Sequence, residues 1–151
     1  MVEVANEFGH GGFDRRTLRS AHGIAELILA GKQAAPKILM SASGGGSGGL
    51  PTEVARACDF LLIHLNNTPV RDIPARVAVL KSWSKPIVCN EDNKCGREGA
   101  EAAQLCVANG ASWGLMVEAV NQRFPFTFRG ALDDLESYAR LKELTSPPNL
   151  R

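Results

Sequence analysis

Two glutamates stand where short apolar runs stop. Glu7 follows Val2–Ala5 and Asn6, and Glu91 follows Pro86–Cys89 and Asn90. Two carboxyl groups that meet across a cleft can divide the cleavage of a glycosidic bond between them. One protonates the leaving oxygen, and the other, about 5–5.5 Å away, attacks the sugar carbon. Such a division needs different surroundings for the two groups, so that one holds a proton while the other is ionised. Other candidates sit at further run ends. His64 and Asn66 close the run Phe60–Leu65, Ser41 and Ser43 close the run 35–43, and Glu118 follows Ser112–Val117. His10 lies just past Glu7. An imidazole at either histidine could bind a hydroxyl or tune a neighbouring carboxylate, because it titrates near neutrality; a hydrogen-bonded interior role for His64 is the alternative.

The elements that must position these groups follow from the apolar runs. Strands are expected to start near residues 2, 37, 60, 85 and 112, each a short continuous apolar stretch. Helical periodicity falls between them. Arg15–Lys32 carries a stripe of Leu18, Ala21, Ile24, Ala25, Ile28 and Leu29 that closes on Gly31; Pro51–Ala57, Ile73–Trp83, Arg97–Asn109 and Ala131–Leu144 follow. Regular strand–helix alternation predicts an α/β fold with parallel strands and right-handed crossovers. Chemistry-bearing residues end every strand. An open sheet gathers them at one switch point, whereas a (β/α)₈ barrel rings its mouth with them. The expectation is therefore a partial barrel of about five parallel strands with flanking helices, one domain over 1–151.

The chain resembles the glycoside hydrolase clan A barrels, the cellulase- and mannanase-like enzymes, through VEVANE (2–7), KPIVCNE (85–91) and ASWGLMVE (111–118). These are similar to that clan's fourth, seventh and eighth strands. The resemblance implies Glu7 as acid/base, Asn6 on the sugar 2-hydroxyl, Glu91 as nucleophile and Trp113 lining the sugar site. It implies retaining hydrolysis of β-glycosidic bonds in an oligo- or polysaccharide, with no metal and no cofactor. His10, His64, Asn66 and Glu118 join the candidate substrate contacts. The clan's second-strand arginine and the tyrosine after its sixth strand have no counterpart here. The first three barrel strands would precede Met1, in a longer parent expected to be exported, and the open sheet edges left behind could drive self-association.

Composition sets the remaining bounds. Lysine and arginine total 17 against 16 acids, with no basic stripe, so nothing points to nucleic acid or a membrane surface. The longest apolar runs are too short to span a bilayer, and the first residues lack a signal peptide's basic start and apolar core. Cys58, Cys89, Cys95 and Cys106 form no CxxC, which disfavours zinc; the first, second and fourth fall on positions expected to be buried. The glycine run Gly44–Gly49 admits an α/β enzyme that binds phosphate there, but it lacks the lysine and Ser/Thr of a P-loop. A non-catalytic carbohydrate-binding or structural barrel remnant is the other alternative. Asn66-Asn67-Thr68 has the form of a glycosylation sequon, and Phe124, Phe126 and Phe128 are expected to pack beneath the last loop.

Overall fold

A computed structural model describes residues 1–10, 12 and 18–146. The start of the expected first helix, at residues 15–17, lies outside the described residues. Among the described residues, five parallel strands alternate with five α-helices in chain order: β1 Val2–Glu3, α1 Ala21–Ala34, β2 Met40–Ser41, α2 Thr52–Ala57, β3 Leu61–His64, α3 Ile73–Lys81, β4 Ile87–Glu91, α4 Gly96–Ala108, β5 Ala111–Ser112 and α5 Leu135–Thr145. β1 pairs with β2, and β3 pairs with β4, which pairs with β5; every pairing is parallel. One further parallel bridge, Ser43 to Leu62, links the two-stranded and three-stranded sheets. Spatial neighbours are thus sequence neighbours. The described strands form no closed barrel.

Each strand has two different faces. Met40 and Ala42 of the β2 segment, with Ala5 beside them, pack with Ile24 and Ile28 of α1 and Val54 and Ala57 of α2. Leu61, Ile63 and Leu65 join Ile87 and Cys89 in a second cluster, against Val77 and Leu80 of α3 and Ala102, Ala103 and Cys106 of α4. The alternate positions, Ser41, Ser43, Leu62 and His64, belong to neither cluster although all four are buried. Period-two alternation therefore sends helix-facing positions to the apolar core and sets polar groups on the opposite face.

Two helix boundaries differ from the sequence expectation for physical reasons. Ser20 caps α1, its Oγ accepting from the Gly23 N–H at 3.0 Å. The helix then runs through Gly31 to Ala34 instead of ending there. A β-carbon at Gly31 would lie 2.7 Å from Met40 Sδ, so the glycine lets α1 approach β2. The last helix starts later than expected because Asp134 caps it: Oδ1 accepts from the Ser137 N–H at 3.0 Å. Its Oδ2 accepts from the Gly96 N–H at 2.8 Å, tying α5 to the first turn of α4. Burial alone would raise the Asp134 carboxyl, but hydrogen bonds from Ser137, Gly96 and Glu136 outweigh it and hold the carboxyl below its ordinary range.

Cys58, Cys89 and Cys106 are buried as expected, and Cys95 is exposed. Burial pushes the thiols of Cys89 and Cys106 up to about 12. Phe124, Phe126 and Phe128 do not pack under the loop: they are 87%, 59% and 55% exposed. Among the described residues, no helix is long and apolar enough to cross a membrane.

Candidate active site

A break in register brings the glutamate of β4 to its neighbours. Ile63 pairs with Cys89, but His64 pairs with Glu91, so Asn90 is the extra residue of a bulge. Strict alternation would put Glu91 on the same face as Cys89 and Ile87, toward the helices. The bulge resets the alternation and places Glu91 beside His64 instead, a common use of bulges next to functional sites.

Glu7 reaches the same place from β1. The Glu7 N–H donates to Ser43 Oγ at 2.9 Å, and the Phe8 N–H donates to the Ser43 carbonyl at 3.1 Å, which carries the β1–β2 pairing onto the strand end. Glu7 has φ of 47°, a left-handed conformation uncommon outside glycine. This turn directs its carboxylate to His64 Nδ1, 3.2 Å from Oε1. The same ring nitrogen lies 3.6 Å from Glu91 Oε1. Asn66 Nδ2 donates to that Glu91 oxygen at 2.9 Å. Ligand-type atoms of Glu7, His64 and Glu91 all fall within 4.8 Å of one another.

His64 is wholly buried, and its Nε2 has no hydrogen-bond partner among the described residues. The ring is best served by a proton on Nδ1, donated toward Glu7, which leaves the unpaired nitrogen an acceptor and not a stranded N–H. Glu7, His64 and Glu91 could also hold a metal ion by number and type of donor. A metal on Nδ1 would force the ring proton onto Nε2, where a metal-bound histidine normally donates to a carboxylate or carbonyl. That partner is missing here, so the donor set fits a metal poorly.

Two supports of the site were not singled out from the sequence. Asp92, adjacent to Glu91, is fully buried and holds three groups. Its Oδ1 pairs with Lys94 Nζ at 2.8 Å, its Oδ2 accepts from the Trp113 indole N–H at 2.8 Å, and its backbone bridges to Leu115. Lys94 Nζ also donates to the Leu65 carbonyl at 2.7 Å, binding the ends of β3 and β4 together. Asp92 is an interior anchor. Glu3 is the second support. Its Oε1 lies 2.5 Å from Ser43 Oγ, and burial raises its carboxyl above the ordinary glutamate range against the opposing pull of Ser43 and His64.

Of the residues expected from the sequence, Glu7, Glu91, His64 and Asn66 come together. Asn6 adjoins them, with Oδ1 3.3 Å from Ser43 Oγ. Trp113 is 7% exposed and belongs to the core. His10 is exposed, its Nδ1 accepting a long bond from the Gly12 N–H at 3.4 Å, and Glu118 is an exposed partner of Arg123. None of these three joins the carboxylate pair. The glycine run is explained by packing. A β-carbon at Gly46 would come within 3.0 Å of Asn66 Cβ, and one at Gly48, where φ is 69°, within 2.8 Å of Leu65. Its carbonyl at Gly46 accepts from the Asn67 N–H at 2.8 Å, and the helix that follows has only six residues, so this loop buttresses Asn66 instead of offering an anion cradle.

A surface groove between α4 and α5, lined by Gln104, Arg140 and Glu143 among others, does not include the carboxylates. The carboxylate cluster instead lies at the carboxyl ends of the strands, with Glu7 and Glu91 partly exposed. Comparison with protein-family models and with curated proteins finds no match to this chain.

Proposed function

We infer that this chain is part of a (β/α)₈ barrel and carries the catalytic pair of a retaining β-glycosidase. The observation that supports this best is the approach of Glu7 and Glu91, from the carboxyl ends of two parallel strands, to within 4.8 Å. An approach that close fits the carboxyl spacing of about 5–5.5 Å in double-displacement enzymes better than the roughly 6.5–9.5 Å that inverting enzymes keep to admit a water. Support for the barrel comes from the order of the strands, each beside its sequence neighbour and all parallel, which an outward-winding open sheet does not keep. The outer edges of β1 and β5 are unpaired among the described residues, a geometry that accommodates further strands or a second copy.

In this reading Asn66 fixes Oε1 of Glu91, leaving Oε2 to attack the anomeric carbon. As that bond forms, the glycosidic C–O bond breaks and its electron pair takes the proton of Glu7. Water then gives a proton back to Glu7 and attacks the same carbon, releasing Glu91. His64 holds Glu7 and Glu91 in one frame through a single ring nitrogen. Asn6, exposed beside Glu7, is placed to meet a sugar hydroxyl.

Chromogenic β-glycosides test this. Glu91→Gln should abolish turnover, and Glu7→Gln should lower it by about 10²–10⁴-fold for a substrate whose leaving group needs protonation. An activated leaving group should restore much of the first step in Glu7→Gln but none in Glu91→Gln. Full turnover in both variants would remove the assignment.

A further inference from the structure

The hydroxyl of Ser43 serves three neighbours and has one proton. Its Oγ accepts from the Glu7 N–H at 2.9 Å, lies 2.5 Å from Glu3 Oε1 and 3.3 Å from Asn6 Oδ1. Ser43 is wholly buried, so water does not relieve the competition. A serine hydroxyl offers one donor and two lone pairs. The Glu7 amide takes one lone pair. One lone pair and one proton remain for Glu3 and Asn6.

Two arrangements satisfy all four groups. In the first, Glu3 is protonated and donates to Ser43, and Ser43 donates to Asn6 Oδ1. The Asn6 amide nitrogen then faces away from Ser43. In the second, Glu3 is ionised and accepts the Ser43 proton. The free lone pair now needs a donor, and Asn6 supplies one only by turning its amide over, so that Oδ1 faces away. Ionised Glu3 with Asn6 unturned leaves two acceptors competing for one proton. The amide orientation in the structure is that of the first arrangement.

We propose that Glu3 is a positioning residue whose protonation state sets, through Ser43, which end of the Asn6 amide is presented beside Glu7. A protonated Glu3 presents a donor, and an ionised Glu3 presents an acceptor. Asn6 is exposed and immediately precedes Glu7, so the end it presents is the end a ligand hydroxyl would meet. Burial raises the Glu3 carboxyl, which extends the donor state toward neutral pH. The titratable groups facing Glu3 are His64 on β3, which would favour its ionisation when protonated, and Glu91 on β4, which opposes it when ionised; Glu7 adjoins through Ser43. Only the consequence for turnover rests on the glycosidase reading.

The test is an NMR titration of the whole chain labelled in asparagine and glutamate side chains. In wild type, the Asn6 side-chain amide should shift with the same midpoint as the Glu3 carboxyl. Glu3→Gln should abolish that shift. Ser43→Ala should leave Glu3 titrating while Asn6 no longer follows it. An Asn6 resonance that ignores the Glu3 midpoint in wild type, or still follows it undiminished in Ser43→Ala, overturns the proposal. With a chromogenic β-glycoside, kcat should change roughly two- to tenfold across that midpoint at constant KM, the size of one neutral hydrogen bond, and Glu3→Gln should lose the inflection. A chain without hydrolysis, whose Glu7→Gln and Glu91→Gln variants behave like wild type, would sink the glycosidase reading, while the NMR titration still decides the switch.

Discussion

At the scale of single residues, the site depends on a few buried polar groups that carry no obvious chemistry themselves. Trp113 illustrates this. By type and strand it suits a sugar platform, yet its indole N–H is the partner of a fully buried carboxylate, Asp92. Trp113→Phe should therefore act on stability, costing about 1–3 kcal/mol for a buried acceptor left unpaired, read as a lower denaturant midpoint. If stability is unchanged and KM rises sharply instead, the tryptophan touches substrate after all. Glu7, Glu91, His64 and Asn66 were legible because each follows an apolar run, and parallel strands align such ends. Asp92, Lys94 and Glu3 were not. Their importance arises from burial and from partners on other strands, and sequence spacing does not reveal a bulge at Asn90 or a hydroxyl at Ser43 aimed across the sheet.

Among the elements, the joint between α4 and α5 carries a test of its own. Asp134 caps α5 and also accepts from the first N–H of α4. Asp134→Ala should cost about 1–2 kcal/mol at neutral pH, at the upper end for a cap because two helices lose a partner. The sign of the pH dependence follows from the depressed carboxyl. Its contribution is fully present above the ordinary aspartate value of 3.8 and is lost as pH falls through the folded value below it. The deficit of the variant should accordingly shrink in denaturation curves taken near pH 3 compared with pH 7; an equal deficit at both would assign the effect to something other than the ionised cap. Helix ends were the least legible part of the fold. Gly31 has the signature of a stop, but contact with Met40 makes it an interior residue, and α5 waits for the cap that α4 also uses.

For the whole molecule, the α/β alternation of parallel strands and helices was legible, because the apolar runs and the helical stripes repeat at regular intervals. Closure was not, since nothing in a run of apolar residues states how many strands share a sheet. The thiols offer a simple check on the packing described. In the native state a thiol reagent should modify Cys95 alone, and slowly, because partial burial and the nearby Asp134, Asp92 and Glu98 raise its pKa. Cys58, Cys89 and Cys106 should react only on unfolding. Rapid modification of any of these three in native buffer would contradict the two-cluster core.

The backbone at Glu7 has a consequence for how such a site persists. A left-handed φ of 47° at a residue with a side chain costs roughly 1–2 kcal/mol. Glycine would carry no such cost, and what it forfeits in unfolded-chain entropy is only about 0.4–1 kcal/mol. Glu7→Gly should thus melt at a higher temperature than Glu7→Ala, which keeps the strain and loses the carboxylate alike. A chain selected only to fold would drift to glycine at this position. Glutamate there marks a residue that stability alone does not retain, and the melting difference between those two variants measures the selection that function must exert to keep it.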